Sequence, residues 1–117
     1  MAYMDIFCGP VANADKEIYR AYAKTMEAMA LGDGALSVTA CWGSDFPEGL
    51  ATTFQMAVKA KSDETVVMRL VKWQSKEARD AGWAQMMKPP EIPTAPFPMP
   101  FDRSRVMMGG FEILSEG

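Results

Sequence analysis

The stretch Thr65-Val66-Val67-Met68-Arg69-Leu70-Val71-Lys72-Trp73 decides the fold. Its β-branched and aromatic side chains mark a strand, and Ser62 and Asp63 supply turn-forming groups just before it. Alternation places Val66, Met68 and Leu70 on one side and Val67, Val71 and Trp73 on the other. Both sides are apolar. An antiparallel strand with one solvated face carries a polar side, so this one is expected to be covered twice.

Upstream, Ala35 to Trp42 alternates, with Leu36, Val38, Ala40 and Trp42 opposed to Ser37, Thr39 and Cys41. This predicts another strand. Gly43 to Thr53, with Pro47 and Gly49, reads as loop, and Phe54 to Ala60 fits either a short strand or a helical turn. The first strand is expected from Tyr3 to Cys8, stopped by Gly9-Pro10. A helix follows it, capped by Asn13 or Asp15, with Ile18, Tyr22, Met26 and Met29 on one face. Gly32-Asp33-Gly34 ends that helix.

Downstream, Ser75 caps a second helix running to about Lys88, with Ala78, Ala81, Trp83, Met86 and Met87 as inner positions. Gly82 weakens it by roughly 1 kcal/mol relative to Ala. Residues 89–100 hold six of the eight prolines and exclude helix or central strand. PxxP spacings occur at Pro90 to Pro93 and Pro93 to Pro96, without a basic residue among them, so a strap across helix or pocket is expected. Arg105 to Leu114 forms the last strand, and Gly109-Gly110 within it points to a bulge or a close backbone approach.

The order strand, helix, strand, strand, helix, strand in 117 residues predicts one domain spanning 1–117. The fold class is α+β: a ferredoxin-like split βαβ sandwich, an antiparallel sheet with two helices on one face. Two helices cover one face only. The apolar second face therefore predicts an isologous homodimer, sheet against sheet. The third strand lies between the first and second in this topology. Cys8 and Cys41 are then roughly 9–10 Å apart, beyond disulfide reach.

Several short motifs carry a family resemblance: Tyr3-Met4-Asp5-Ile6-Phe7, Ala57-Val58-Lys59, Asp63-Glu64-Thr65-Val66-Val67, Arg79-Asp80-Ala81, Met99-Pro100-Phe101-Asp102 and Gly109-Gly110-Phe111. The last two are the most specific. The chain resembles the YbaA-like family of uncharacterised bacterial proteins, within the dimeric α+β barrel superfamily. The resemblance implies that fold and a dimer far more strongly than an activity. Ile6 stands where family members commonly have glycine, and Ala78 where they have histidine, so no histidine-based role carries over. Cofactor-independent monooxygenases on this fold use aromatic and polar pocket residues, which is the analogy the resemblance offers.

Composition narrows the chemistry. A net charge of -3 with scattered basic residues argues against nucleic acid as a partner. No apolar run is long enough for a membrane span, and the start does not read as a secretion signal. Two cysteines make neither a disulfide framework nor a metal-ligand pattern, so a cytoplasmic protein without metal or cofactor is expected. The chain contains no histidine. That removes the usual neutral-pH proton shuttle and both Ser-His and Cys-His nucleophile pairs.

Four residues stand out as pocket candidates. Arg69 lies mid-strand among apolar neighbours, where an unpaired guanidinium is costly to bury. Asp5 lies central in the adjoining first strand. A structural Asp5–Arg69 pair is the favoured reading; an arginine holding an anionic ligand beside a proton-accepting carboxylate is the sharper one. Trp42 and Trp73 end their strands as core anchors or as walls of a flat-ligand pocket. Eleven methionines suggest an adaptable interior. Two functional readings follow. One is a small-molecule pocket protein or enzyme, oxygenase- or isomerase-like without a cofactor, taking a small apolar or anionic ligand. The other is a noncatalytic homodimeric module that binds a metabolite or a protein.

Overall fold

β3 (Glu64–Trp73) is paired on both sides: β1 (Tyr3–Ala12) runs antiparallel along one edge and β2 (Ser37–Trp42) along the other. β4 (Met107–Glu112) adds to the far side of β1, giving the antiparallel order β2-β3-β1-β4. The computed structural model describes residues 1–88 and 101–117. The expected proline-rich strap lies outside those residues.

The continuous strand pairing assigns every side chain to a face. The inner face holds the rows Val38–Val71–Asp5–Gly110 and Ala40–Arg69–Phe7–Met108. Two helices cover it, α1 (Lys16–Gly32) and α3 (Lys76–Met86). α1 buries Tyr19, Tyr22, Ala23, Met26 and Ala30, a stripe of helical period. Ile18, expected on that stripe, is 58% exposed; Tyr19 takes the inward place one position along. Gly34, at φ +109°, turns the chain out of α1. Ser75 Oγ accepts the Ala78 N–H at 3.0 Å and starts α3 where the sequence placed it.

α3 is phased differently from expectation. Gly82 and Met86 are buried and Arg79 and Trp83 half-buried, while Ala81 and Met87 are exposed. Gly82 explains the phase. A Cβ there would lie 2.4 Å from the Trp73 ring and 2.8 Å from the Asp33 carbonyl oxygen. The helix rests on the indole through its bare backbone.

β1 continues through Gly9-Pro10 rather than stopping at Cys8. β4 pairs only as far as Cys8, so Pro10 lies where that side of β1 is an edge, a place that tolerates a missing N–H. Gly109-Gly110 makes no bulge, since the β1–β4 register runs unbroken through it. Close approach is the reason at Gly110, where a Cβ would lie 2.2 Å from the Tyr3 hydroxyl.

The outer face carries Met4, Ile6, Met68 and Leu70 half-buried, with Phe111 54% exposed. The excursion between β2 and β3 covers one end of it. Thr53 caps the short α2 (Phe54–Ala57), after which Val58 is fully buried and packs with Cys8 and Val66. Cys8 and Cys41 both pair with Met68, from opposite sides, so two strand spacings separate them, and both are free thiols. Burial pushes the Cys8 thiol up.

The corner from Phe101 to Arg105 is a clamp. Arg105 makes a forked pair with Glu64 at 2.7 and 2.8 Å, bonds the Lys59 carbonyl at 3.0 Å and reaches Asp102 at 3.0 Å. It ties the lead into β4 to the lead into β3. Its hydrogen bonds pull the Glu64 carboxyl down to about 2.

Candidate functional site

Asp5 is 4% exposed, on the inner face of β1. Its Oδ2 accepts two indole N–H groups, from Trp73 at 3.0 Å and from Trp83 at 2.9 Å. Oδ1 lies 3.8 Å from the Nε of Arg79. Trp73 arrives from β3, whereas Arg79 and Trp83 sit four residues apart on α3 and so project from one helical face.

Arg79 is held on three sides. Its guanidinium stacks 4.9 Å from the Tyr3 ring centre and donates from Nη2 to the Tyr3 hydroxyl at 3.1 Å. Asp80 Oδ1 lies 3.3 Å from Nε. Even so, Nε is buried without a hydrogen-bond partner, alone in this among the buried side-chain nitrogens and oxygens of the described residues. Such a donor is costly to leave unmade.

Asp5, Phe7, Arg79, Trp83, Met108, Gly109 and Gly110 line a cleft of about 260 Å³. The β4 position in the Asp5 row is Gly110, whose missing side chain makes room for the Tyr3 ring that also stacks on Arg79. One polar pair thus faces an opening walled by aromatic and thioether groups.

Arg69 is elsewhere. It is 8% exposed and makes no ion pair among the described residues. The expected Asp5–Arg69 pair is therefore absent, for a reason of register. Arg69 stands opposite Phe7 and Asp5 opposite Val71, so the guanidinium stacks on the Phe7 ring at 4.4 Å instead. It borders two small voids of about 10 and 30 Å³, room for single water molecules rather than an organic ligand. Tyr19 shares the larger void; burial pushes its hydroxyl pKa up, partly opposed by Arg69.

Of the other candidates, Trp73 joins Asp5 and Trp42 does not. Trp42 packs 6.3 Å from Tyr19 and carries Lys16 over its ring, in a separate groove along α1. Sequence reasoning missed Arg79 as a site residue and assigned Trp83 only to the helix interior. The available signal was their four-residue spacing opposite a strand carboxylate.

Residues 2–103 match the family described as "protein of unknown function (DUF1428)". The chain belongs to the DUF1428 family. The uncharacterised protein YbaA of Escherichia coli K12 is 41% identical over 114 residues, covering 97% of both chains. YbaA of Shigella flexneri matches to the same degree. Among solved structures, this DUF1428 chain is similar to SnoaB, a cofactor-independent oxygenase from Streptomyces nogalater. The TM-score is 0.61 at 16% identity, over 98% of this chain and 95% of that one. Rv0793 from Mycobacterium tuberculosis gives 0.55 at 14%, over 99% and 98%. Identities this low establish the fold alone. The family and the ferredoxin-like α+β class anticipated from the sequence both hold for this DUF1428 member.

Proposed function

We propose that the chain is a small-molecule pocket protein with acid–base capability, oxygenase- or isomerase-like and independent of a cofactor, whose site is the cleft at Asp5. One observation carries this reading: a buried carboxylate, fixed on one oxygen by two indoles and lying beside the Arg79 guanidinium, lines a cleft of about 260 Å³. Without histidine, a carboxylate is the natural proton acceptor. Arg79 would stabilise the negative charge that proton removal leaves on a ligand. Trp73 and Trp83 hold the carboxylate in place and act as positioning residues.

The working unit in this proposal is a cytoplasmic homodimer joined through the outer face, where Met4, Ile6, Leu70 and Phe111 remain incompletely covered. Likeness to SnoaB supports an oxygenase-type reaction as the first class to assay. The noncatalytic reading keeps one specific support, the nearly filled interior around Arg69.

Tryptophan fluorescence tests the site directly, because two of the three tryptophans contact Asp5. Small uncharged aromatic compounds should perturb the emission saturably in the parent and at least tenfold more weakly in Trp83→Leu with its fold retained. Titrations that leave the emission unchanged would remove the cleft as a ligand site.

A further inference from the structure

We infer that the chain holds a single monatomic anion, a halide such as chloride, between Arg69 and Tyr19, at a site separate from the cleft at Asp5. Arg69 is 8% exposed, and among the described residues its guanidinium has neither a carboxylate partner nor a hydrogen-bond acceptor. The Phe7 ring, 4.4 Å away, offers a quadrupole but no counter-charge. Asp5, the acid one row along the inner face, is engaged by Trp73, Trp83 and Arg79 and borders neither void beside Arg69. A cation buried in this way is costly unless the opposite charge comes from elsewhere.

The larger of the two voids, about 30 Å³, has the chemistry to supply it. Arg69 borders it from β3 and Tyr19 from α1. Tyr19 is 6% exposed, and burial pushes its pKa up, so the hydroxyl keeps a proton to donate. The other side chains that line the void, Phe7, Cys8, Val67, Phe101 and Val106, are uncharged, since the buried Cys8 thiol stays protonated. The void is therefore bordered by a cation and a hydroxyl donor, with no acid among the described side chains around it.

Volume selects among the anions. About 30 Å³ is roughly twice what one water needs. It takes one monatomic ion and excludes phosphate, sulfate and carboxylates, each of several heavy atoms. Water fits but leaves the charge uncompensated. It also needs acceptors for its own two protons, which the lining side chains offer chiefly at the Tyr19 oxygen. A halide accepts from several donors at once and has no proton to place. Held there, it joins α1 to β3 and acts as a structural ion, not as a substrate.

Sodium bromide is the probe, with sodium sulfate of equal ionic strength as the comparison. Bromide should raise the melting temperature of the full-length parent relative to Arg69→Met, saturably, by at least about 3 °C between about 1 and about 100 mM. Sulfate should leave that difference unchanged. Measuring against the variant cancels what each salt does to proteins in general. Tyr19→Phe keeps the ring and should need at least about threefold more bromide for half of the effect; it replaces Arg69→Met as the reference if the latter fails to fold. Crystals grown in bromide should show one anomalous peak in contact with both Arg69 and Tyr19. Equal bromide responses of the parent and the reference variant, or a sulfate response matching that of bromide, would overturn the inference. A peak in the crystals without a saturable effect in solution would mark an adventitious ion only and overturn it as well.

Discussion

Trp73 and Trp83, one from a strand and one from a helix, donate to the same oxygen of Asp5. That oxygen is therefore saturated, and the carboxylate has a single direction left in which to act. The pair also welds α3 to the sheet through a buried polar contact, so Asp5 bears on stability as well as on chemistry.

Asp5→Ala should destabilise the fold by about 2–5 kcal/mol, because it strands two indole donors and removes the carboxylate beside Arg79. Asp5→Asn retains an acceptor for the indoles and should lose markedly less. Denaturant titrations of both variants provide the check. Equal losses would mean that the indole contacts contribute nothing.

Arg69→Met and Asp5→Asn should have additive effects on stability, to within about 0.5 kcal/mol, since the two side chains share no partner among the described residues. A large coupling energy in the double-mutant cycle would restore the ion pair that the strand register separates.

Gly82→Ala should destabilise by about 1–3 kcal/mol, although alanine is the better helix former by roughly 1 kcal/mol. The new methyl group would enter the buried Trp73 ring at 2.4 Å. A variant that melts higher than the parent would show that α3 can lift away from the sheet without loss.

The Glu64–Arg105 clamp sets an acid limit. Glu64 titrates at about 2 in the folded chain against an ordinary value of 4.5. A lowered folded pKa contributes stability that is fully present above the ordinary value and is lost as pH falls through about 2. Arg105→Met should therefore melt below the parent at neutral pH, with the gap narrowing from about pH 4.5 downward and closing near pH 2. A gap that stays constant with pH would exclude the clamp as its source.

The sheet was legible because strand alternation is a strict two-residue code, and β3 displayed it over its whole length. Ser75 and Gly34 punctuated the helices in agreement with the structure. Helix phase was harder to read. Ile18 and Tyr19 are adjacent apolar residues, and composition does not choose between neighbours when either completes a stripe. Gly82 inverted the usual logic: the residue without a side chain faces inward because a tryptophan from another element needs the space. The site was half legible for the same reason. Asp5 and Trp73 stood out within their own strands, whereas the Asp5–Arg69 pairing depended on register, which offsets the two residues by one row on the same face. Arg79 became visible only once α3 was rotated onto Trp73.

Phe7 borders the cleft at Asp5 and both small voids beside Arg69. One ring thus stands between the cleft and the two voids beside Arg69. Shortening that side chain would merge the compartments and bring the Arg69 charge into line with the Asp5–Arg79 pair. The boundary between the cleft and the interior thus rests on a single aromatic rotor. Homologous chains that differ at this position alone could hold ligands of very different length within an unchanged backbone.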